Sequence, residues 1–335
     1  MRVAVVILNW NGKSFLEKFL PSVISNSVGA TIYVADNASS DGSLDYLKEN
    51  YPTVKLIDNG ENLGFAGGYN KALEKLEEEF FVLLNSDVEV TPNWLEPIIQ
   101  LFDSDSNIVA CQPKILSYHD KSSFEYAGAA GGFIDKFGYP FCRGRIFDSL
   151  ENDNGQYDSV EEIFWATGAC LFIRSKVYKE LGGLDADFFA HMEEIDLCWR
   201  IKRAGYSIKV QPASVVYHVG GGTLSKSNPF KTFLNFRNGL ELLAKNLPKN
   251  ELLPKLFIRM VLDGMAAFKF LISGKGKDFL AVIHAHFDFY RRLRKTLGKR
   301  TGNYIPVKGQ YSGNIVLDYF LKGRKKFSDL PSDKF

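Results

Sequence analysis

The chain has 335 residues, 45% of them hydrophobic and 24% charged, which excludes an intrinsically disordered or fibrous protein. Its net charge of +2 conceals a split, because residues 1–229 hold 20 basic and 31 acidic side chains whereas residues 230–335 hold 21 and 8. Two parts with different surroundings are expected.

The opening run, residues 3–8, is Val-Ala-Val-Val-Ile-Leu, too short for a signal peptide and suited to a buried strand. It ends at Asn9-Trp10-Asn11-Gly12, and the spacing of Phe15, Leu16, Phe19, Leu20, Val23 and Ile24 then predicts a helix. A second apolar run, residues 31–35, stops at Asp36-Asn37 and leads through Ser39-Ser40-Asp41-Gly42-Ser43 into a helical pattern. A third, residues 54–57, precedes the glycine-rich stretch from Asn62 to Asn70 and a helix to residue 79. The fourth, residues 80–84, ends at Asn85-Ser86-Asp87. Short, fully apolar strands alternating with helices predict an α/β fold with a mostly parallel sheet covered on both faces. Ligands bind such sheets beyond the carboxyl ends of the strands, where all four polar clusters fall.

Beyond residue 100 the alternation is less regular. Residues 109–115 read as a strand, 128–158 as a long loop or hairpin insertion, and 163–173 as a strand pair or a strand with a turn. Gly182-Gly183 breaks the chain before a helix within 188–204, and residues 206–210 and 214–218 read as two strands. Helical spacing then covers 233–246, 252–272 and 279–297. The most apolar stretch, residues 256–273, contains Arg259, Asp263 and Lys269 and falls short of the roughly 18 uninterrupted apolar residues of a spanning helix. Cys111, Cys142, Cys170 and Cys198 form no Cys-x-x-Cys pair, so neither a zinc site nor a disulfide framework is indicated and a reducing cytoplasm fits best.

Asp87, held at the end of a buried strand, suits a hard divalent cation with positions left open for phosphate oxygens, although an isolated Asn-Ser-Asp by itself reads first as the start of a turn. Gly64, Gly67 and Gly68 let the backbone approach a ligand closely, but their spacing is not Gly-x-Gly-x-x-Gly and disfavours a dinucleotide fold.

Ile7-Leu8-Asn9-Trp10-Asn11, the segment from Val34 to Ser43, the segment from Asn62 to Asn70, and Leu84-Asn85-Ser86-Asp87 appear in the order and near the spacing found in family 2 glycosyltransferases. Across residues 1–240 the chain resembles that family, and most of all its bacterial rhamnosyltransferase branch. The resemblance implies the GT-A fold and an inverting transfer from a UDP- or dTDP-sugar to a glycan or lipid-linked saccharide. It also implies a nucleotide-sugar pocket of Asn9, Asn11, Asp36, Asn37, Asp41, Asn62, Gly64, Gly67, Asn85, Ser86, Trp165 and Gly168. Asp36 would accept the imide N–H of uracil or thymine. Asp87 and His218 would hold Mg²⁺ or Mn²⁺, with Asn85 standing where the family's metal motif often has aspartate. In Met192-Glu193-Glu194-Ile195-Asp196-Leu197-Cys198-Trp199-Arg200, Glu194 takes the position of the general base, Glu193 is its competitor, and Asp196 and Arg200 pair structurally.

Residues 230–300 carry 15 basic and 5 acidic side chains, and 279–297 form a basic amphipathic pattern. Such a helix fits an anionic membrane surface, which would make the protein cytoplasmic and peripheral on the inner face, or it packs on the catalytic part with a solvated basic face. No motif for reading nucleic acid accompanies the charge. The expected division is a catalytic domain over 1–229, a basic helical region over 230–300 and a tail over 301–335. The alternative function is a catalytically inactive protein that binds nucleotide sugar or docks on membrane.

Overall fold

A computed structural model describes residues 1–220, 228–301 and 307–335. Gly221, Gly222 and Thr223, expected as a glycine turn after His218, lie outside the described residues, as does part of the expected tail, residues 302–306.

The first half alternates as its apolar runs predict. Strands β1 (Val3–Asn9), β2 (Ala30–Asp36), β3 (Lys55–Asp58) and β4 (Phe80–Asn85) lie parallel in the order β3-β2-β1-β4. Helices α1 (Lys13–Asn26), α2 (Ser43–Asn50) and α3 (Gly64–Leu73) connect them. Because successive strand side chains point to opposite faces, Val3, Val5 and Ile7 pack with Leu16, Leu20 and Val23 of α1, whereas Ala4 and Val6 pack with Ala66, Tyr69 and Leu73 of α3. Fully buried side chains such as Phe80 and Phe81 each contribute on the order of 1.5–3 kcal/mol.

Next come β5 (Val88–Val90), α4 (Glu96–Ser104) and β6 (Ile108–Ser117). The stretch expected as a loop or hairpin insertion forms β7 (Gly132–Asp135), β8 (Pro140–Cys142), β9 (Arg145–Ile146) and β10 (Ser149–Leu150). Then follow β11 (Glu161–Glu162), β12 (Cys170–Arg174), α5 (Ser175–Glu180), α6 (Glu193–Arg203) and β13 (Ser207–His218). The last elements are α7 (Pro229–Asn246), α8 (Lys249–Ile272), α9 (Gly276–Gly298), β14 (Gln310–Tyr311) and α10 (Ile315–Phe320). The main sheet runs β11-β13-β6-β12-β4-β1-β2-β3 with β5 beside β13, and a second sheet runs β10-β9-β8-β7-β14.

One topological detail builds the site. Strand β12 lies antiparallel between β4 and β6, and β13 is parallel to β6, so the carboxyl ends of β1, β2, β4, β6 and β13 share an edge with the start of β12. The two strands expected over 206–210 and 214–218 are one strand, shifted in register between Gln211 and Val215 around Pro212, which has no N–H for the ladder. That continuity carries His218 to the shared edge.

The expected helix within 188–204 begins only at Glu193. Phe189, His191 and Met192 have φ of 66°, 68° and 74°, a left-handed backbone that ends the preceding turn and aims α6.

The basic helices pack on the acidic part. Lys245 pairs with Asp185 at 2.7 Å and Asp196 at 2.8 Å, Lys295 with Asp187 at 2.7 Å, and Arg292 with Glu241 at 2.8 Å. Lys299 bonds both Asp185 and Asp187, and Arg300 bonds the carbonyls of Ala244 and Leu247. Arg292, Lys295, Lys299 and Arg300 are therefore all engaged by partners within the protein. Much of the charge split is neutralised internally.

Candidate active site

At the end of β1, Asn9 is fully buried and its Nδ2 donates to Asp36 Oδ1 at 3.0 Å and Ser39 Oγ at 3.1 Å, while its own Oδ1 has no partner. The other Asp36 oxygen accepts the Ser39 backbone N–H at 2.8 Å. An unpaired buried acceptor is costly unless a ligand supplies a donor, and each carboxylate oxygen retains a free lone pair. Asn11 (φ 51°) accepts the Ser40 N–H at 2.7 Å and so shapes the same turn.

Asp41 is differently employed. Its carboxylate accepts the Lys13 N–H at 2.8 Å, at the first turn of α1, and the Ser43 N–H at 3.1 Å, at the first turn of α2. Orphan helix N–H groups explain that use.

Asn37 fastens the glycine-rich stretch to the β2 end. Its Nδ2 donates to the Gly64 carbonyl at 2.9 Å, and its Oδ1 accepts from Asn59 Nδ2 at 2.7 Å. Asn62 Oδ1 accepts the Gly64 N–H at 3.0 Å. Gly64 has φ +69°, and a Cβ there would meet the Phe189 ring at 2.5 Å, so only glycine fits where this turn touches the strained loop before α6. At Gly67, a Cβ would lie 2.9 Å from Leu63.

Asn85 ends the buried β4, and Asp87 lies in the turn that leads into β5. The Asn85 N–H donates to the Ala169 carbonyl at 3.0 Å, which ties that end to the turn before β12. Asp87 Oδ1 lies 3.1 Å from His218 Nε2, and on the ring's far side Nδ1 is 3.2 Å from Glu125 Oε2, without the alignment of a hydrogen bond. Burial alone would lower the imidazole, but Asp87 and Glu125 together raise it to about 10. Both carboxylates are buried, which would raise them, yet the His218 charge holds each below its ordinary value. The Asn85 amide lies 3.5 Å from His218 Nε2. Ser86 stands beside Gly12, whose Cβ would be 3.4 Å from the hydroxyl.

This donor set fits a divalent cation in an open site. One carboxylate and one imidazole converge, the imidazole is backed by a second carboxylate as metal-ligating histidines commonly are, and no group of three or more ligating side chains exists among the described residues. The other ligands would come from the diphosphate.

Across the Ala169 turn sits the acidic start of α6. A Cβ on Gly168 would lie 3.0 Å from Phe65 and 3.9 Å from Glu194 Cβ, so glycine lets this turn pack closely against Phe65 and the base of the Glu194 side chain. Burial raises Glu194 to about 7 against the opposing pull of nearby backbone N–H groups, including that of Gly168. Glu193 is only 4% exposed, and burial together with the Glu194 charge pushes it well above the usual carboxylate range. Each has an Oε2 without a partner. Glu194 is half-buried where Glu193 is buried, and its partnerless Oε2 is itself shielded from solvent. Asp196 is fully buried and bonded to Arg200, Lys245 and Asn246, as structural pairing predicts.

Trp165 is not brought into this group. Its ring covers Gly132 and its Nε1–H donates to the Phe133 carbonyl at 2.8 Å, inside the core between the two sheets.

Sequence reading missed two residues that hold the site. Glu125 lies in an irregular loop with no motif around it, and only the β6–β13 pairing places it behind His218. Asn238 of α7 donates through Nδ2 to the carbonyls of Phe188, Ala190 and His191 at 3.0, 2.9 and 2.7 Å, clamping the strained loop that aims α6. A polar residue within the apolar stripe of α7 was its only signal.

Residues 4–182 match the family described as Glycosyl transferase family 2. An N-acetylglucosaminyl-diphospho-decaprenol L-rhamnosyltransferase of Mycobacterium tuberculosis is 26% identical over 239 residues, covering 65% of this chain and 76% of that protein. Among solved structures, GalNAc-T7 with UDP, GalNAc and Mn²⁺ is similar with a TM-score of 0.57 and 18% identity over 74% of this chain, which spans 48% of that structure's length. Mannosyltransferase PcManGT from Pyrobaculum calidifontis, in complex with GDP-Man and Mn²⁺, is similar with a TM-score of 0.53 and 15% identity over 89% of this chain and 83% of that one. Both likenesses concern the fold.

Proposed function

The chain belongs to glycosyl transferase family 2 and has its GT-A fold, and from that premise we propose that it is an inverting glycosyltransferase acting from a UDP- or dTDP-sugar on a cell-surface glycan or lipid-linked saccharide. The observation that carries this reading is the half-buried Glu194 carboxylate beside Gly168, across the Ala169 turn from the Asp87–His218 pair.

The roles follow from chemistry. The acceptor pair made by Asn9 Oδ1 and Asp36 suits the imide N–H of uracil or thymine. Gly64 and Gly67 keep the backbone bare beside the donor. Asp87 and His218 would hold Mg²⁺ or Mn²⁺, His218 giving up its Nε2 proton to do so, and the cation would neutralise charge gathering on the leaving nucleoside diphosphate. The acceptor hydroxyl oxygen attacks the anomeric carbon from the face opposite the leaving group. A new O–C bond forms, the bond from that carbon to the phosphate oxygen breaks, and the hydroxyl proton passes to the Glu194 carboxylate. Residues 1–229 supply these groups, and the helices of 230–300 brace the loop before α6. The acceptor is met at the inner face of the cytoplasmic membrane.

Release of the nucleoside diphosphate by the full chain with Mg²⁺ or Mn²⁺ tests the proposal. Because the base works only when ionised, and burial lifts Glu194 to about 7, kcat/KM should rise about tenfold per pH unit below 7 and level off above it. A flat profile from pH 5 to 8 contradicts that role. Donor-induced stabilisation without turnover on any acceptor favours the inactive alternative.

A further inference from the structure

Helix α8 is inverted relative to an ordinary surface helix. Its charged stripe faces inward, where Arg259 Nε donates to Asp263 Oδ1 at 2.8 Å, Arg259 Nη1 donates to the carbonyls of Phe137 and Gly138 at 3.1 Å each, and Tyr139 Oη donates to Asp263 at 3.0 Å. Its outward stripe, at spacings of three and four, holds Leu253, Phe257, Val261, Met265, Phe268 and Ile272, exposed by 76, 70, 49, 65, 61 and 70%. The surface continues onto α9 through Leu280, Phe287 and Tyr290, the last with its hydroxyl 3.1 Å from Met260 Sδ. Soluble proteins rarely leave so long an apolar face in water unless something covers it. None of the described helices is long and apolar enough to cross a membrane, so this face lies on its partner instead of passing through it.

The charges around the face identify that partner. Lys269, Lys275, Lys277, Arg291 and Arg294 are all exposed along it. Of the acids of α8 and α9, Asp263 is buried beside Arg259, Asp278 accepts from Thr232, Asp288 lies between Arg237 and Arg291, and Glu251, at the start of α8, is paired with Lys255. A second copy joined through the same patch would set one cationic rim against another, which electrostatics opposes. A layer of anionic headgroups over hydrocarbon complements both features.

We propose that the α8–α9 face docks on the surface of an anionic phospholipid bilayer, with Phe257, Met265, Phe268 and Phe287 entering the headgroup boundary and the lysines and arginines meeting lipid phosphates. Its purpose rests on the lipid-linked acceptor proposed above, but the docking needs neither donor nor acceptor.

Cosedimentation of the full chain with vesicles of phosphatidylglycerol and phosphatidylcholine, and with phosphatidylcholine alone, tests it without substrate. Binding is expected on the anionic vesicles and at least about tenfold weaker on neutral ones. The double substitution Phe257→Ser and Phe268→Ser should weaken binding by a further factor of about ten or more, with melting temperature and nucleoside diphosphate release unchanged. No binding to anionic vesicles, or undiminished binding by the double variant, overturns the proposal. So does a dimer in vesicle-free solution that the double variant dissociates, since that assigns the face to a second copy. Because nucleoside diphosphate release is measured separately, a failed catalytic reading stays distinct from a failed docking surface.

Discussion

Glu194→Gln should lower kcat by about 10²- to 10⁴-fold while leaving donor binding and melting temperature near their wild-type values. The amide keeps the size of the carboxylate and its place beside Gly168, but it cannot take the hydroxyl proton. Because the wild-type side chain has an oxygen with no partner in the protein, the substitution breaks no internal bond at that atom. The structure also separates the two adjacent glutamates: Glu193 is 4% exposed and its burial favours the neutral acid, so Glu193→Gln should cost much less activity. Steady-state kinetics with a thermal melt on each variant is the check, and near-normal turnover by Glu194→Gln would remove that residue from the mechanism.

Asp87→Ala should reduce kcat/KM by about 10²-fold or more and abolish the dependence on divalent cation. Among the described residues Asp87 is the carboxylate that follows β4, and His218 stands beside it at 3.1 Å. With the carboxylate gone, His218 keeps Glu125 beside its Nδ1, so the ring stays anchored while the cation loses its anionic ligand. Isothermal titration of Mn²⁺ with UDP or dTDP present separates this loss from misfolding. Unchanged metal affinity would show that Asp87 is no ligand.

The residues legible in the sequence are those fixed by strand ends. Asn9, Asp36 and Asp87 each follow an unbroken apolar run, and a parallel sheet necessarily brings the ends of such runs to one edge. The C-terminal helices were legible too, because spacing of three and four residues persists through α7, α8 and α9. What that spacing cannot convey is which stripe turns inward. In α8 the pattern holds an apolar stripe and an Arg259–Asp263 stripe, and the protein buries the charged one because Tyr139 and the carbonyls of Phe137 and Gly138 satisfy it. The membrane surface expected of the basic α9 is therefore proposed largely for α8, because Arg292 and Lys295 of α9 and Lys299 and Arg300 just after it pair within the protein. Contacts made by long-range register were equally hidden. Glu125 meets His218 through the β6–β13 pairing, and Asn238 reaches across 47 to 50 residues to hold the loop before Glu193. Trp165 misled for the opposite reason, since its neighbours in sequence lie at the cleft while its own ring fills the core over Gly132.

The anomeric configuration of the transferred sugar, read by proton NMR of the product against the donor, tests the central claim most directly. A carboxylate that deprotonates the acceptor while the diphosphate leaves from the opposite face requires a single displacement, so the product should carry the configuration opposite to that of the donor. A product with the donor's own configuration would contradict the account and the role given to Glu194.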